Sequence, residues 1–296
     1  MGKFRIVSFD GGGIRGLVSL AILRRLMESN PYLLDGVDMF SGTSTGGIIA
    51  LGLAAGLRPD FLIDLYMRKG GDIFTRRWSH FLGLVGARYK HRPLEKILEG
   101  VFGDMRLSDI KKKVLIPTFD LDNECEGVRR WAPKFFHNFG DDVDRKEFIK
   151  DVALATSAAP TYFKSWNGYV DGGLIANNSS LSAVIQALDK RYDKDRSIDD
   201  IRVLSLGTGE TSNYVKGEDV DLGMLNVGTL MEMVLDGTEE VPHHQCRIML
   251  GNNYRRLNPY NYKCVGLDDW KQSEYLVNLG DSCDLGDTPE WLKETW

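Results

Sequence analysis

The chain lacks the features that mark membrane-spanning and secreted proteins. None of its segments reaches the roughly 18 consecutive apolar residues that a membrane-spanning helix needs. A strand-like segment begins at Phe4, which leaves no room for a signal peptide. These absences, with four widely spaced cysteines that form no C-x-x-C pair, predict free thiols and a cytoplasmic protein. The cysteines are Cys125, Cys246, Cys264 and Cys283.

Repeats, low-complexity tracts and convincing metal-binding patterns are also absent. The net charge of −5 gives no global attraction to an anionic bilayer, and no nucleic-acid partner is expected. The acidic segment 120–127 has its glycine two places too late for a calcium loop and lacks the closing glutamate. His243, His244 and Cys246 lack a fourth zinc ligand at matching spacing. We therefore expect neither a metal nor a cofactor.

What is present predicts a single α/β domain over residues 1–296. A chain of 296 residues with 43% apolar composition can bury a large core. Strands and helices alternate, which predicts a three-layer α/β/α fold with a largely parallel central sheet. The core motifs lie in 4–210, and 211–296 is expected to add helical segments that complete the domain, with a regulatory role left open. The expected strands are 4–9, 37–41, 113–119, 130–136, 168–171 and 201–206, and the expected helices are 17–28, 45–56, 60–69, 94–102, 147–156, 180–189, 222–235 and 240–250.

The segment Gly42-Thr-Ser-Thr-Gly46 has the G-x-S-x-G form of a nucleophile elbow, a strained turn between a strand and a helix that exposes a serine. Gly42 and Gly46 leave room for the tight turn, which a Cβ would obstruct. Ser44 would then lie beside the free N–H groups of a helix N-terminus, where developing negative charge is favoured. Taken alone, the motif also fits an ordinary strand–turn–helix.

A second glycine-rich segment, Asp10-Gly-Gly-Gly-Ile-Arg-Gly16, follows the first strand and precedes a helix. Such a loop presents backbone N–H groups to an anion. In an acyl-transfer enzyme that anion is the tetrahedral oxyanion, and each donor contributes roughly 3 kcal/mol of transition-state stabilisation. We expect donors from Gly11, Gly12 and Gly13. Arg15 would orient the loop or add positive field, unless it is a surface arginine after a turn.

The same glycines fit the dinucleotide fingerprint G-x-G-x-x-G. That fingerprint also needs an acid at the end of the second strand, about 20 residues on, to hold the ribose. Here the next strand leads into Thr43 and Ser44, and Asp35 and Asp38 stand at its opposite end. No Gly-Lys-Ser/Thr follows the loop, so it is not a P-loop either. The sequence favours the oxyanion interpretation over nucleotide binding.

A third motif, Asp171-Gly172-Gly173, supplies a base at the tip of a short strand. A serine hydroxyl is a weak nucleophile and needs a partner within hydrogen-bond reach that takes its proton. Aspartate can serve when a partly dry site raises its proton affinity. An isolated Asp-Gly-Gly is usually a turn, so the interpretation depends on the other two motifs.

In this order, the three motifs resemble those of the patatin-like phospholipases. Segments 155–163 and 204–209 are also similar to that family, and the resemblance covers roughly 4–210. It implies a calcium-independent lipid acyl hydrolase with a Ser44–Asp171 dyad and no catalytic histidine. The oxyanion hole that it implies consists of the 11–13 loop with Arg15 near it, supported by Gly42, Gly46, Gly172 and Gly173.

An α/β-hydrolase triad in the order Ser, Asp, His can be written with His243 or His244. Only one strand–helix unit precedes Ser44, however, whereas that fold usually has several strands before the elbow. The histidines follow Val241-Pro242 in a polar stretch, where a solvated pair or helix-start residues is the simpler interpretation. The sequence therefore favours the dyad.

The expected substrates are membrane phospholipids or other acyl lipids. Segment 76–92 contains five lysine and arginine residues and no acidic residue, together with aromatic and aliphatic ones. This composition is suited to peripheral membrane contact or a lid. Inward packing of its apolar residues is the alternative. An acyltransferase that uses the same nucleophile, or a scaffold without activity that binds lipid or protein, are the alternative functions. The sequence leaves the oligomeric state open.

Overall fold

The computed structural model describes residues 2–75, 86–141, 143–211 and 227–296, which form a sheet flanked by helices. The strands are β1 (Phe4–Phe9), β2 (Met39–Gly42), β3 (Lys113–Cys125), β4 (Val128–His137), β5 (Tyr169–Asp171), β6 (Ile201–Leu206), β7 (Glu210–Thr211), β8 (Tyr254–Leu257) and β9 (Tyr260–Asn261). The helices are α1 (Gly16–Ser29), α2 (Leu33–Gly36), α3 (Thr45–Ala54), α4 (Pro59–Ile73), α5 (Arg92–Phe102), α6 (Ile149–Thr156), α7 (Gly173–Ala176), α8 (Ser180–Ala187), α9 (Val227–Leu250), α10 (Ser273–Asp281) and α11 (Thr288–Thr295).

The main sheet has the strand order β4-β3-β2-β1-β6-β8, with β5 paired to β3. The pairs from β3 through β2, β1 and β6 to β8 are all parallel. Only β4 and β5 run antiparallel, each against β3. The prediction of an α/β fold with a largely parallel central sheet is therefore confirmed.

Alternate residues of the central strands contribute to two separate hydrophobic cores. On β1, Val7 and Phe9 face the larger core, to which α1, α3 and α6 also contribute. Ile6 faces the other side, where it joins a smaller core with Ala183 of α8 and Cys246 of α9. This period of two is the pattern of a strand buried on both faces, and it places the sheet between two helical layers.

The parallel register brings the sequence motifs to one edge of the sheet. Phe9 lies opposite Gly42 on β2 and opposite Leu206 on β6. The residues that follow these positions therefore leave the sheet side by side: the glycine loop, the elbow and segment 207–209. Ligands bind in open α/β folds at this carboxyl edge of the strands.

The expected break between helices 222–235 and 240–250 is wrong, because α9 continues through Pro242; residues 222–226 of the first lie outside the described residues. Proline lacks an N–H, so the carbonyl of Thr238 loses its partner within the helix. The backbone N–H of Asn178 lies 3.3 Å from that carbonyl oxygen and donates to it. The Asn178 side chain donates to the next carbonyl, that of Glu239, at 3.2 Å. Asn178 thus supplies a donor to the carbonyl that proline leaves without a partner and another to the carbonyl that follows it.

The six expected strands are present, with shifted or extended ends for some of them. The expectation that 211–296 adds helical segments was incomplete, because β8 in that segment extends the main sheet beside β6. The hairpin of β3 and β4 is longer than expected and turns at Glu126 and Gly127, both with positive φ. Among the described helices, none is long and apolar enough to cross a membrane.

Candidate active site

Ser44 occupies a strained turn between β2 and α3. Its φ of 56° and ψ of −122° lie outside the regions that residues with a side chain normally adopt. A hydrogen bond holds the turn, because the N–H of Ser44 donates to Thr156 Oγ1 at 2.9 Å. The Thr156 hydroxyl in turn donates to the carbonyl of Pro117 at 2.7 Å. Backbone strain of this kind is typical of positions that present a reactive side chain.

The two elbow glycines are required by close backbone contacts. A Cβ on Gly42 would lie 2.1 Å from the carbonyl oxygen of Gly46. A Cβ on Gly46 would lie 2.3 Å from the carbonyl oxygen of Phe9. Both obstacles are backbone atoms that no rotamer change can move, so the elbow excludes even alanine here.

We expect Gly46→Ala to destabilise the protein by about 2 kcal/mol or more, because the new methyl group must displace β1 or α3. Gly100→Ala on α5 is the matched control, since no heavy atom lies within 4 Å of its added Cβ. That control should be neutral or stabilising, as alanine is the better helix former. Denaturant unfolding of both variants tests the expectation. Equal unfolding free energies for the two variants would contradict it.

Asp171 ends β5, and the structure brings its carboxyl group to the Ser44 hydroxyl. Both residues line the same cleft, and the Ser44 side chain lowers the pKa of the Asp171 carboxyl group, as a neighbouring donor does. The N–H of Gly173 donates to Asp171 Oδ1 at 2.8 Å, which fixes the carboxylate. The side chain is only 4% exposed. Burial raises the pKa of Asp171 to about 6, against the opposing effect of the hydrogen bonds from Ser44 and Gly173. Its proton affinity is therefore tuned towards the neutral range in which a general base works.

The Asp-Gly-Gly turn is as tightly packed as the elbow. A Cβ on Gly172 would lie 2.2 Å from the carbonyl oxygen of Pro117. A Cβ on Gly173 would lie 2.5 Å from the Leu235 side chain of α9. The chain therefore leaves β5 in a path that only glycine fits, while the Asp171 side chain remains at the strand tip.

The glycine loop lies directly against the elbow. A Cβ on Gly11 would lie 3.4 Å from Ser44 Cβ, which measures how close the two turns approach. Gly13 has a φ of +57°, in the left-handed region that favours glycine. A Cβ on Gly12 would lie 2.4 Å from Thr208 Oγ1. The loop thus passes between Ser44 on one side and the 207–209 turn on the other.

The amides of the loop differ in their availability. The N–H of Gly11 donates to the carbonyl of Asn177 at 3.1 Å. Among the hydrogen bonds found in the described ranges, none is donated by the N–H of Gly12 or Gly13. Of the three amides expected from the sequence, these two therefore have no acceptor among the described residues, while Gly11 anchors the loop.

Arg15 is buried beneath the loop, with 8% exposure, rather than lying on the surface. Its Nε donates to the carbonyl of Gly12 at 3.4 Å, a long contact. The guanidinium borders a small crevice beside Glu232 and Asp236 and does not line the cleft at Ser44. Of the two roles expected for Arg15, this position favours orienting the loop over contact with the reacting atoms.

An apolar cleft opens at Ser44 and Asp171. It encloses about 1030 Å³, open solvent at its mouth included. Its walls come from α3, α4, α5 and α9 and from the segment around 157–163. A cleft with this lining suits an apolar ligand that meets a few polar groups at one end. The apolar wall includes Ile14, Ile48, Leu65, Ile73, Phe74, Leu94, Leu98, Phe163, Met231 and Leu235.

The histidines of the alternative triad lie elsewhere. His243 and His244 are inside α9, and neither lines the cleft. His243 Nδ1 is 3.1 Å from the hydroxyl of Tyr254 on β8. Within the described ranges, no group of three or more His, Cys, Asp or Glu side chains is placed to hold a metal ion.

Segment 76–92 is described only from residue 86 onward. Arg88 Nη1 lies 2.6 Å from Asp268 Oδ2, and the Tyr89 hydroxyl donates to the same oxygen at 2.5 Å. The Tyr89 ring is buried and packs edge-on against Phe74 of the cleft. These residues therefore pack inward. The basic and aromatic residues of 76–85, on which the membrane-contact expectation mainly depends, lie outside the described residues.

Sequence reasoning missed the polar residues that support the site. Asn177, Thr156 and Thr208 each bond a turn that carries a motif residue. All three are buried. Their residue types are common, and nothing in their spacing from the motifs indicates a role. Only the fold places them against the glycine loop and the elbow.

A serine on a strained turn, a buried carboxyl group in the same apolar cleft and a glycine loop with unpaired amides beside them are features of a serine-dependent ester hydrolase. Comparison with known proteins defines the group more closely. Residues 7–184 match the family model described as Patatin-like phospholipase, and the chain belongs to that family. Membership supports lipid hydrolase activity.

Among the similar proteins is Protein teg of Priestia megaterium, 34% identical over 241 residues, which cover 78% of this chain and 71% of that protein. The putative sporulation hydrolase CotR of Bacillus subtilis is 32% identical, covering 94% of this chain and 85% of its own length. A cGAMP-activated phospholipase of Escherichia coli is 36% identical, covering 70% of this chain and 62% of its own length.

Proposed function

We propose that the protein is a lipid acyl hydrolase of the phospholipase A or lysophospholipase type, which cleaves carboxylic esters through a Ser44–Asp171 dyad. The observation that carries the proposal is the position of Ser44, held on a strained turn, beside the buried Asp171 carboxyl group in one apolar cleft. The apolar cleft beside them supports a fatty acyl chain as the bound part of the substrate. Membership of the patatin-like phospholipase family supports the same class of substrate.

In the proposed reaction, Ser44 Oγ attacks the ester carbonyl carbon while Asp171 takes the hydroxyl proton. The N–H groups of Gly12 and Gly13 hold the oxyanion of the tetrahedral intermediate. Asp171 then returns the proton to the departing alcohol as the acyl-enzyme forms. Water attacks the acyl-enzyme and gives a proton to Asp171, which passes it to Ser44 Oγ as the fatty acid leaves. One carboxyl group thus acts alternately as base and acid, and no metal takes part.

The assay that tests the proposal is fatty acid release from mixed phospholipid vesicles in the presence of EDTA, followed by mass spectrometry. It is run with and without cGAMP, because a similar protein is named a cGAMP-activated phospholipase. Release with EDTA, and a fluorophosphonate adduct on the peptide that contains Ser44, are the expected results. His243→Ala/His244→Ala serves as the control and should retain the activity. If the wild-type protein neither releases fatty acid nor reacts with the fluorophosphonate, the proposal is excluded.

The pH dependence of kcat/KM gives a second expectation. Asp171 must be ionised to accept the proton, and burial raises its pKa to about 6. The rate should therefore rise with pH, reach half of its plateau near pH 6 and level off above pH 7. Initial rates on a water-soluble ester across pH 4.5–8 measure the profile. A half-maximum near pH 4, the range of an ordinary carboxyl group, would contradict the role of burial.

Acyl transfer to an alcohol or thiol would use the same acyl-enzyme. Product analysis with competing acceptors separates it from hydrolysis, because a transferase gives the new ester or thioester in place of free fatty acid. We further propose that the chain acts as one catalytic domain in the cytoplasm. Contact with membranes through 76–92 is part of the proposal, supported by the composition of that segment alone.

A further inference from the structure

Behind the glycine loop, one arginine and two carboxyl groups are buried together. Asp10, which links β1 to the loop, has no exposed surface. Arg256 on β8 places its Nη2 2.7 Å from Asp10 Oδ2 and 2.6 Å from Oε1 of Glu239 on α9. Asn258 Nδ2 also donates to Glu239 Oε1, at 3.0 Å. The proposed ester chemistry uses none of these charged groups.

The cluster is connected to the loop through Asn177. Asn177 Nδ2 lies 3.3 Å from Glu239 Oε2 and 3.4 Å from the carbonyl oxygen of Gly11. The carbonyl of Asn177 accepts the N–H of Gly11, and Thr208 Oγ1 donates to the carbonyl of Gly11 at 3.1 Å. Both backbone polar groups of Gly11 are therefore bound. This anchoring sets the position of the two amides that follow it.

The charge state of the cluster follows from its contacts. The Asp10 and Glu239 carboxyl groups both contact the same nitrogen of Arg256, so two buried carboxyl groups share one buried cation. Burial is the largest cause that raises the pKa of both groups, and Arg256 opposes it. Near neutral pH the pair therefore holds one proton, which leaves one carboxylate opposite the charge of Arg256. The sum is zero, which avoids the penalty of an uncompensated buried charge.

We propose that Asp10, Glu239 and Arg256 are positioning residues, which form a neutral buried cluster with one shared proton and thereby hold the Gly12 and Gly13 amides ready for the oxyanion. The inference rests on the proposed function, because an oxyanion forms only if Ser44 attacks an ester. The cluster affects the stabilisation of the transition state only, because it acts through the loop that holds the oxyanion. Its loss should therefore lower kcat far more than it changes KM.

The proposal predicts an alkaline decline in kcat. When the pair loses this proton at alkaline pH, two carboxylates lie close together in a buried site and repel each other. Asp10 is the start of the loop, so the displacement reaches the amides directly. Other charged or titratable groups act on the cluster from the glycine loop, α9 and β8, and the more exposed ones contribute less. They are Arg15, Glu240, His243 and Tyr254.

Two substitutions of Glu239 distinguish the effect of its ionisation from the effect of its side-chain contacts. Glu239→Gln keeps an acceptor towards Arg256 and Asn258 and cannot ionise. Glu239→Ala removes the acceptor as well. Glu240→Gln makes the same chemical change on the adjacent, exposed residue and is the matched control. For each variant, kcat and KM on a soluble ester are measured from pH 6 to 9.5, together with the rate of Ser44 labelling by a fluorophosphonate.

We expect wild type and Glu240→Gln to lose kcat above about pH 8, while Glu239→Gln retains most of the neutral-pH rate and shows no such decline. Glu239→Ala should lose roughly 10- to 100-fold in kcat with little change in KM. An alkaline decline that persists in Glu239→Gln would overturn the proposal. If Glu239→Ala does not fold, the comparison of Glu239→Gln with wild type decides. Absence of Ser44 labelling in wild type would instead reject the proposed function, whatever the Glu239 variants do.

Discussion

Replacing Ser44 by alanine is expected to lower fatty acid release by at least about 10⁴-fold, because the acyl-enzyme can no longer form. The remaining site can still bind lipid and orient water, so a small residual rate above the uncatalysed reaction is compatible with the mechanism. KM or vesicle binding should change little, since the cleft walls remain. Release assays on vesicles and fluorophosphonate labelling of the same preparation measure both effects.

A second variant at this position tests the strain on the turn. Glycine adopts a φ of 56° and a ψ of −122° without a Cβ penalty, whereas alanine does not. Ser44→Gly should therefore be as inactive as Ser44→Ala but more stable, by roughly 1–3 kcal/mol. Thermal and denaturant unfolding provide the comparison. Retained hydrolysis in either variant would remove Ser44 from the mechanism.

Asp171→Asn should lower kcat by roughly 10³- to 10⁴-fold. The amide oxygen can still accept the N–H of Gly173, which keeps the geometry, but it cannot take the proton of the Ser44 hydroxyl. The half-maximum near pH 6 in the rate profile should disappear with the carboxyl group. Single-turnover rates across pH measure this loss without interference from product release.

The same substitution should change the dependence of stability on pH. Asp171 has a folded-state pKa of about 6 against the ordinary 3.8, so protonation favours the folded protein. This contribution is complete below about pH 4 and is lost as the pH rises through 6; a gap of about two pKa units corresponds to ~3 kcal/mol. Wild type should therefore lose about that much unfolding free energy relative to Asp171→Asn between pH 4 and pH 7.5. Parallel stability profiles for the two proteins would show that Asp171 is not the buried, proton-binding group.

The sequence predicted the elements whose signals are local. Buried strands such as Phe4–Phe9 read as apolar runs, and the elbow at Ser44 is marked by glycines that backbone contacts require. The sequence predicted the glycine loop and the elbow but not which strands would pair. Their meeting at one edge of the sheet then follows from the parallel register.

The remaining features depend on contacts between distant segments. Pro242 predicts a helix break, and only the groups that Asn178 supplies from another segment explain why α9 continues. The sequence likewise does not indicate that Asn177 would occupy the N–H of Gly11, since the pairing depends on how α7 meets the loop. Strand β8 is short and carries two arginines, so its pattern does not stand out until it pairs with β6.

Helix α9 contacts three parts of the site that are formed by segments far apart in the sequence. Met231 and Leu235 form part of the acyl cleft, Thr238 donates to the carbonyl of Gly173 at 2.8 Å, and Glu239 belongs to the cluster behind the glycine loop. These positions fall within little more than two turns of one helix. Because these contacts are made by one helix, a shift of α9 along its axis would move the cleft wall, the contact with Gly173 and the side chain of Glu239 together. The width of the cleft and the position of the glycine loop are thus coupled through one helix, which Asn178 keeps continuous at Pro242.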